Sequence, residues 1–264
     1  MDVAGICEGI REGGCISPSE DEKEKVGEYT LLCKLGKGEK AVVYLAVDSH
    51  GREVAIKAFL TETELNFKEY SKYYFDEQGA SKLAKREWEL GKILKHPNIA
   101  EVYDYFTEPK NGEIRSYIVM EYIEKLPENT LSESSAVQAA LGLVDALIFG
   151  FQKGVIHRDL FSENMIVNRE GVLKLIDIDS FDHMYEDLYD PHVADSSGTP
   201  MDPLDSYLKV MGSGVSYLLA FGGINRSLGH LIPSDCHRNI QKGDLPIILE
   251  YLNAVKGVLH STKG

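Results

Sequence analysis

The chain has 264 residues, 43% hydrophobic and 27% charged, a balance that excludes wholesale disorder and leaves ample length for a buried core. Its 28 Lys and Arg stand against 42 Asp and Glu, a formal net charge of −14. That acidity excludes a protein that coats nucleic acid or adheres to anionic membrane, since both need a basic surface, while a local group of cations can still hold a phosphate-bearing ligand.

Residues 1–26 are rich in Gly, Ser and acidic residues, end in SPSEDEKEK, and read as a flexible N-terminal extension. They show neither a basic n-region nor a long apolar h-region, so no Sec-type signal is expected. Cys7, Cys15, Cys33 and Cys236 lack CxxC or metal-ligand spacing, which predicts neither a disulfide nor a zinc framework and a reducing compartment. No run approaches 18 apolar residues, so no membrane span is expected. From Glu28 the pattern turns to β: YTLLCKL, AVVYLAV and EVAIKAF are short and rich in β-branched and aromatic residues, separated by GKGEK and by a DSHG turn in which Gly51 is free to take positive φ. SKLAKREWELGKILKH then has helical spacing, with Leu83, Leu90 and Leu94 along one side and Pro97 as its stop. Two further strands, AEVYDYF and RSYIVMEY, complete a set of five strands and one helix.

The second half reads as helical. SSAVQAALGLVDALIFGFQKG is a long apolar-periodic helix with Gly154 placed as its C-terminal cap. ENMIV and VLKLI are short strands flanking the turn NREG. A polar stretch from Asp179 to about Pro203 is too long for an ordinary connection, and SYLKVMGSGVSYLLAF and LPIILEYLNAVKGVL are two more helices.

Chemistry concentrates at four places. In GKGEKAVVY, Gly36 and Gly38 on either side of Lys37 let the backbone approach an anion, and Val43 can cover an apolar ring; alone, this GxG is a plain turn. In VAIK the next strand sets Lys57 among apolar neighbours, two residues after Ala55, where it becomes a candidate phosphate ligand once joined to the glycine loop. VIHRDLFSENMIV carries Asp159 and, five residues on, Asn164; LKLIDID carries Asp177. Phosphoryl transfer needs a carboxylate near the attacking hydroxyl, which Asp159 supplies, and hard oxygen ligands for Mg²⁺, which Asn164 and Asp177 supply. Each alone is ordinary turn chemistry. The ordered set is not.

With these motifs the chain resembles the eukaryotic-type protein kinase family over roughly residues 28 to 221. The resemblance implies an α+β, bilobal protein-kinase-like fold: an antiparallel β-rich N-lobe with one main helix and the hinge (27–123), and a mostly helical, shortened C-lobe (124–264), with ATP bound between them. It implies that Gly36, Lys37 and Gly38 cover phosphates, that Lys57 holds them, and that Glu87, with Glu89 as second choice, is the helix partner of Lys57. Val43, Ala55, the gatekeeper Met120 and the hinge Glu121 to Ile123 would bind adenine; Asp159 would be catalytic and Asn164 and Asp177 would hold the metal. His157 and Arg158 complete HRD, and the arginine suits a phosphorylated activation segment. ATP with Mg²⁺, or Mn²⁺ in its place, is the implied cofactor set, and a protein of unknown identity the implied partner.

The departures from the family are specific. Phe161 stands where Ser/Thr kinases place a lysine, and the expected Asp-Phe-Gly reads Asp177-Ile178-Asp179. Gly91 replaces a bulky spine residue, no Ala-Pro-Glu follows GTP at 198–200, and the aspartate of the next large helix is best matched by Asp205. Similar economies mark bacterial effector kinases and other atypical members, which implies a cytoplasmic protein or, for an effector, delivery into the host cytoplasm. Three readings follow: a Ser/Thr protein kinase, favoured by HRD, VAIK, KHPN and VMEY; a small-molecule kinase of the sugar, choline or antibiotic type, favoured by Asp179 and the missing lysine; and a nucleotide-binding pseudokinase, disfavoured by the intact catalytic set.

Overall fold

A computed structural model describes residues 24–38, 40–61, 63–64, 79–127, 130–157, 160–178, 181–183, 203–221, 223 and 245–261. Contacts divide the chain into two units. One runs to Lys95 and resumes from Ala100 to Ile123; the other takes His96–Ile99 and everything from Glu124.

The first unit is a six-stranded antiparallel sheet with strand order β1-β2-β3-β4-β6-β5: β1 Lys25–Val26, β2 Tyr29–Lys37, β3 Ala41–Val47, β4 Glu53–Phe59, β5 Val102–Lys110 and β6 Glu113–Glu121. The five expected strands are present, and the last two residues assigned to the extension form the sixth. Asp48 closes the β3–β4 turn by accepting the N–H groups of His50 and Arg52, with Gly51 at φ 79°. Asn111 and Gly112, both at positive φ, make the two-residue β5–β6 hairpin, the geometry that matches the sheet's twist. Along β4, Val54, Ile56 and Ala58 face a core that includes Val26, Leu31 and Val119, while Ala55 and Lys57 alternate to the other face. Tyr29, Phe106 and Tyr117 stack over that core at centroid distances of 6.0 and 5.0 Å. Gly27, at φ 57°, passes Phe106 so closely that a Cβ would sit 3.2 Å from the ring, and its N–H donates to Glu108 Oε1. Helix α1, Gly79–Ile93, lies close to β4, β5 and β6. Cys33, in β2, is disulfide-bonded, which corrects the expectation of no disulfide: spacing along the chain carries no information about which cysteines meet in space.

The second unit is built on α2, Glu133–Gln152, whose N-terminus is capped by the Ser132 hydroxyl accepting from the Ser135 N–H at 3.1 Å, and which Gly154 terminates at φ 76°. Among the described residues α2 alone is long and apolar enough to cross a membrane, yet most of it is buried inside its own unit, as a central core helix must be. Around it stand β7 Val155–His157, β8 Met165–Val167, β9 Leu173–Leu175, β10 Phe181–His183 and the helices α3 Pro203–Phe221 and α4 Leu245–Ser261. Both α3 and α4 pack on α2, and an ion pair joins Lys256 of α4 to Asp145 of α2. β8 and β9 form a hairpin in which Asn168 Oδ1 accepts the N–H groups of Glu170 and Val172. β10 was not expected. It lies within the polar stretch and pairs antiparallel with β7, His157 opposite Phe181.

His96–Ile99 is held by α2 and β9. Asn98 donates from Nδ2 to the Leu173 carbonyl, its own carbonyl accepts the Leu175 N–H, and Ile99 bridges to Leu175. His96 stacks against Phe149 and accepts the Asn98 N–H at Nδ1, and burial holds its pKa below the usual imidazole range. Gly142 makes room for this segment, because a Cβ there would lie 2.5 Å from Asn98 Nδ2. Gly142→Ala is therefore expected to destabilise the chain by about 1–3 kcal/mol despite alanine's better helix propensity. Thermal unfolding checks it: Tm falls, and Asn98→Ala in the same chain recovers part of the loss.

Candidate active site

In the first unit the strand register assembles one face. Gly36 pairs with Val43, Val43 with Lys57, and Ala55 with Met120, so Val43, Ala55, Lys57 and Met120 are cross-strand or next-nearest neighbours on the same side of the sheet. Gly36 and Lys37 close β2, and the Gly38 N–H donates to the Ala41 carbonyl at 2.9 Å, which fixes the turn between β2 and β3. Three apolar side chains thus surround one cation. A flat aromatic ring beside an anionic group fits such a surface.

Lys57 is 8% exposed and Glu87, on α1, 0%. Lys57 Nζ donates to Glu87 Oε2 at 2.8 Å. Glu89 is exposed. The difference follows from helical spacing: Ala84, Glu87 and Gly91 recur at three- and four-residue intervals on the buried side of α1, with the buried Leu94 just past its end, and position 89 lies off it. Glu121 closes β6, its N–H donating to the Glu101 carbonyl at 2.8 Å, and Ile123, half-buried, ends the unit.

In the second unit the β8–β9 hairpin sets Asn164 and Asp177 at the same end. Met165 pairs with Leu175, and one step further the Ile176 N–H donates to the Asn164 carbonyl at 2.9 Å, which leaves Asp177 the next residue out. Asp177 has φ 60°, a left-handed conformation that Asp tolerates better than most residues and that tends to occur where function holds it. Ile178 behind it is buried and anchors the turn. His157 is fully buried, its Nε2 3.4 Å from the Ile176 carbonyl, so β7 is tied to the residue preceding Asp177. Phe161 is 64% exposed while Leu160 beside it is buried, and the Asn164 N–H donates to the Phe161 carbonyl at 3.0 Å. Arg158, Asp159 and Asp179 lie outside the described residues, as does the side chain of Asp205 in the first turn of α3.

An amide oxygen and a carboxylate at one hairpin end are the hard donors that Mg²⁺ takes, and the donor set fits that ion. Val102 escaped the sequence reading. It pairs with Met120 across from Ala55 and lies directly against Gly91, and only its apolar character at the start of a strand marked it.

A family model described as protein kinase domain matches residues 29–200, more than half of the chain. Aurora kinase B of Mus musculus is 29% identical over 65% of this chain and 48% of its own length. CBL-interacting protein kinase 24 of Oryza sativa is 31% identical over 62% of this chain and 35% of its own. The serine/threonine-protein kinase PksC of Streptomyces coelicolor is 31% identical over 57% and 27%. The chain thus spans between about a quarter and a half of the length of these relatives.

Proposed function

The chain belongs to the protein kinase family, and from that premise we propose that it transfers the γ-phosphoryl group of ATP to a Ser or Thr hydroxyl of a protein, with Mg²⁺ as the metal. The observation that supports this most is the ion pair of Lys57 and Glu87. Burying two charges is costly and seldom stabilises a fold more than apolar residues would, so such a pair is best explained by the work its cation does.

In this reading the face of Val43, Ala55 and Met120 receives the adenine ring. Lys57, oriented by Glu87, donates to the α- and β-phosphates, and the backbone around Gly36, Lys37 and Gly38 covers them. Asn164 and Asp177 hold the metal, which when bound neutralises charge on the β- and γ-phosphates. Asp159 accepts the proton of the acceptor hydroxyl. Catalysis here is positioning and charge stabilisation, so the rigid strand register and the buried pair are the parts that matter.

One observation favours a second reading: Phe161 occupies the position of the catalytic-loop lysine, as in a kinase whose acceptor is a small molecule. Intact-mass analysis after incubation with Mg·ATP, with ADP followed in parallel, separates the cases. The protein kinase is expected to form ADP and to add phosphate groups of about 80 Da to itself or to a general protein acceptor. ADP formed only when an amino alcohol, sugar or aminoglycoside is supplied would favour the small-molecule kinase. No ADP with any acceptor would overturn both.

A further inference from the structure

The buried side of α1 contains no side chain at position 91. A Cβ built there would lie 2.5 Å from Val102 Cγ2 and 2.6 Å from Val102 Cβ, closer than real Cβ atoms approach. The helix backbone therefore rests directly on a side chain of β5. The strand is arranged for this contact: its register shifts between Val102, opposite Met120, and Asp104, opposite Val119, so Tyr103 is an extra residue in a bulge. Val102 is buried there, whereas Tyr103 and Asp104 are both exposed. Glu87 lies one turn before Gly91 on the same side of the helix, about 6 Å along its axis.

We propose that the contact between Gly91 and Val102 holds α1 where Glu87 meets Lys57, so that the unmodified, partner-free chain already carries the ion pair. This rests on the kinase reading for its consequence and on the geometry for its existence. A long side chain at 91 would have rotamers, and the helix could settle at several distances from the sheet. Glycine has none, so one separation is set by backbone against Val102. Glycine is also a poor helix former, and close approach is the reason a mid-helix position tolerates it. The outer side of the helix adds a second anchor: Trp88 stacks on Tyr105 at 5.6 Å, with Lys92 Nζ 3.7 Å from the Trp88 ring centre. Gly91 and Val102 are thus positioning residues that act through Glu87.

The test uses the full chain without nucleotide and reads the acylation rate of Lys57 by peptide mass spectrometry, which needs neither ATP nor turnover. Glu87→Gln supplies the rate for a broken pair. Gly91→Ala is expected to label Lys57 at least about tenfold faster than the parent, close to the Glu87→Gln rate. Gly91→Ala/Val102→Gly, which removes the clash but leaves the contact as thin as Val102→Ala does, is expected to label more slowly than Gly91→Ala and at about the Val102→Ala rate. ADP formation should fall and recover in the same order. Should Gly91→Ala fail to fold, Val102→Ala loosens the contact without adding bulk and is expected to speed labelling as well. Parent labelling as fast as Glu87→Gln overturns the proposal, as does slow, parent-like labelling in a folded Gly91→Ala or, in its place, Val102→Ala. If labelling follows the expected order but no variant or parent forms ADP, the positioning stands and the kinase reading falls. Flat labelling with ADP formed is the converse.

Discussion

Asp177→Asn is expected to slow phosphoryl transfer by at least about 100-fold at saturating ATP and to raise the Mg²⁺ concentration needed for half-maximal rate, with little change in Tm. The choice of asparagine matters because Asp177 sits at φ 60°. Alanine there would combine loss of the carboxylate with a strained left-handed backbone, a cost of about 1–2 kcal/mol for an ordinary L-residue. Asparagine tolerates that conformation and keeps the side-chain shape, so it removes charge alone. Glycine removes the side chain and relieves the backbone. If the carboxylate holds the metal, Asn and Gly variants are both slow; if the residue only shapes the turn, both stay near the parent rate. Single-turnover rates for Asp177→Asn within about tenfold of the parent would exclude a metal role.

The second large effect belongs to the buried pair. Lys57→Met and Glu87→Gln are each expected to cut phosphoryl transfer by at least about 100-fold, whereas Glu89→Gln, on the exposed side of α1, stays within about twofold. Stability separates chemistry from packing. Each single change leaves a buried polar or charged group without its ion-pair partner and is expected to lower stability, by up to about 3–5 kcal/mol. Lys57→Met/Glu87→Leu replaces both with apolar side chains and is expected to recover much of the Tm while staying inactive. Thermal unfolding beside ADP release checks this. Recovery of activity in the double variant would mean the pair serves the fold and not the reaction.

The strands of the first unit and the helices were legible in the sequence because alternation and three-to-four spacing leave strong periodic signals over seven residues or more. β1 and β10 were not. Lys25–Val26 and Phe181–His183 are too short to carry a period, and they exist only because Tyr29–Thr30 and Val155–His157 offer them a ladder. At the site, residue types and spacing pointed to Lys57, Asn164 and Asp177. Glu87 was placed ahead of Glu89 only through the family resemblance, since from helical spacing alone two nearby glutamates do not differ until the contact face of the helix is known. The left-handed turn at Asp177 leaves no trace in composition. Gly91 read as a missing spine residue; that Val102, eleven positions on, fills its place depends on a bulge at Tyr103 that no local signal announces.

The capture of His96–Ile99 by the second unit has a kinetic consequence. During synthesis the sheet strands β1 to β4 and the residues of α1 emerge first, and β5 and β6 follow within the next thirty or so residues. The segment between α1 and β5 must wait: Asn98 finds its carbonyl acceptor only when Leu173 has been made, 75 residues later. Until then Ile99, 1% exposed in the finished protein, has no apolar seat. The first unit can thus form its ladders early while one internal loop stays undocked until a contact spanning 75 residues closes, a step whose chain-entropy cost the local hairpins do not carry.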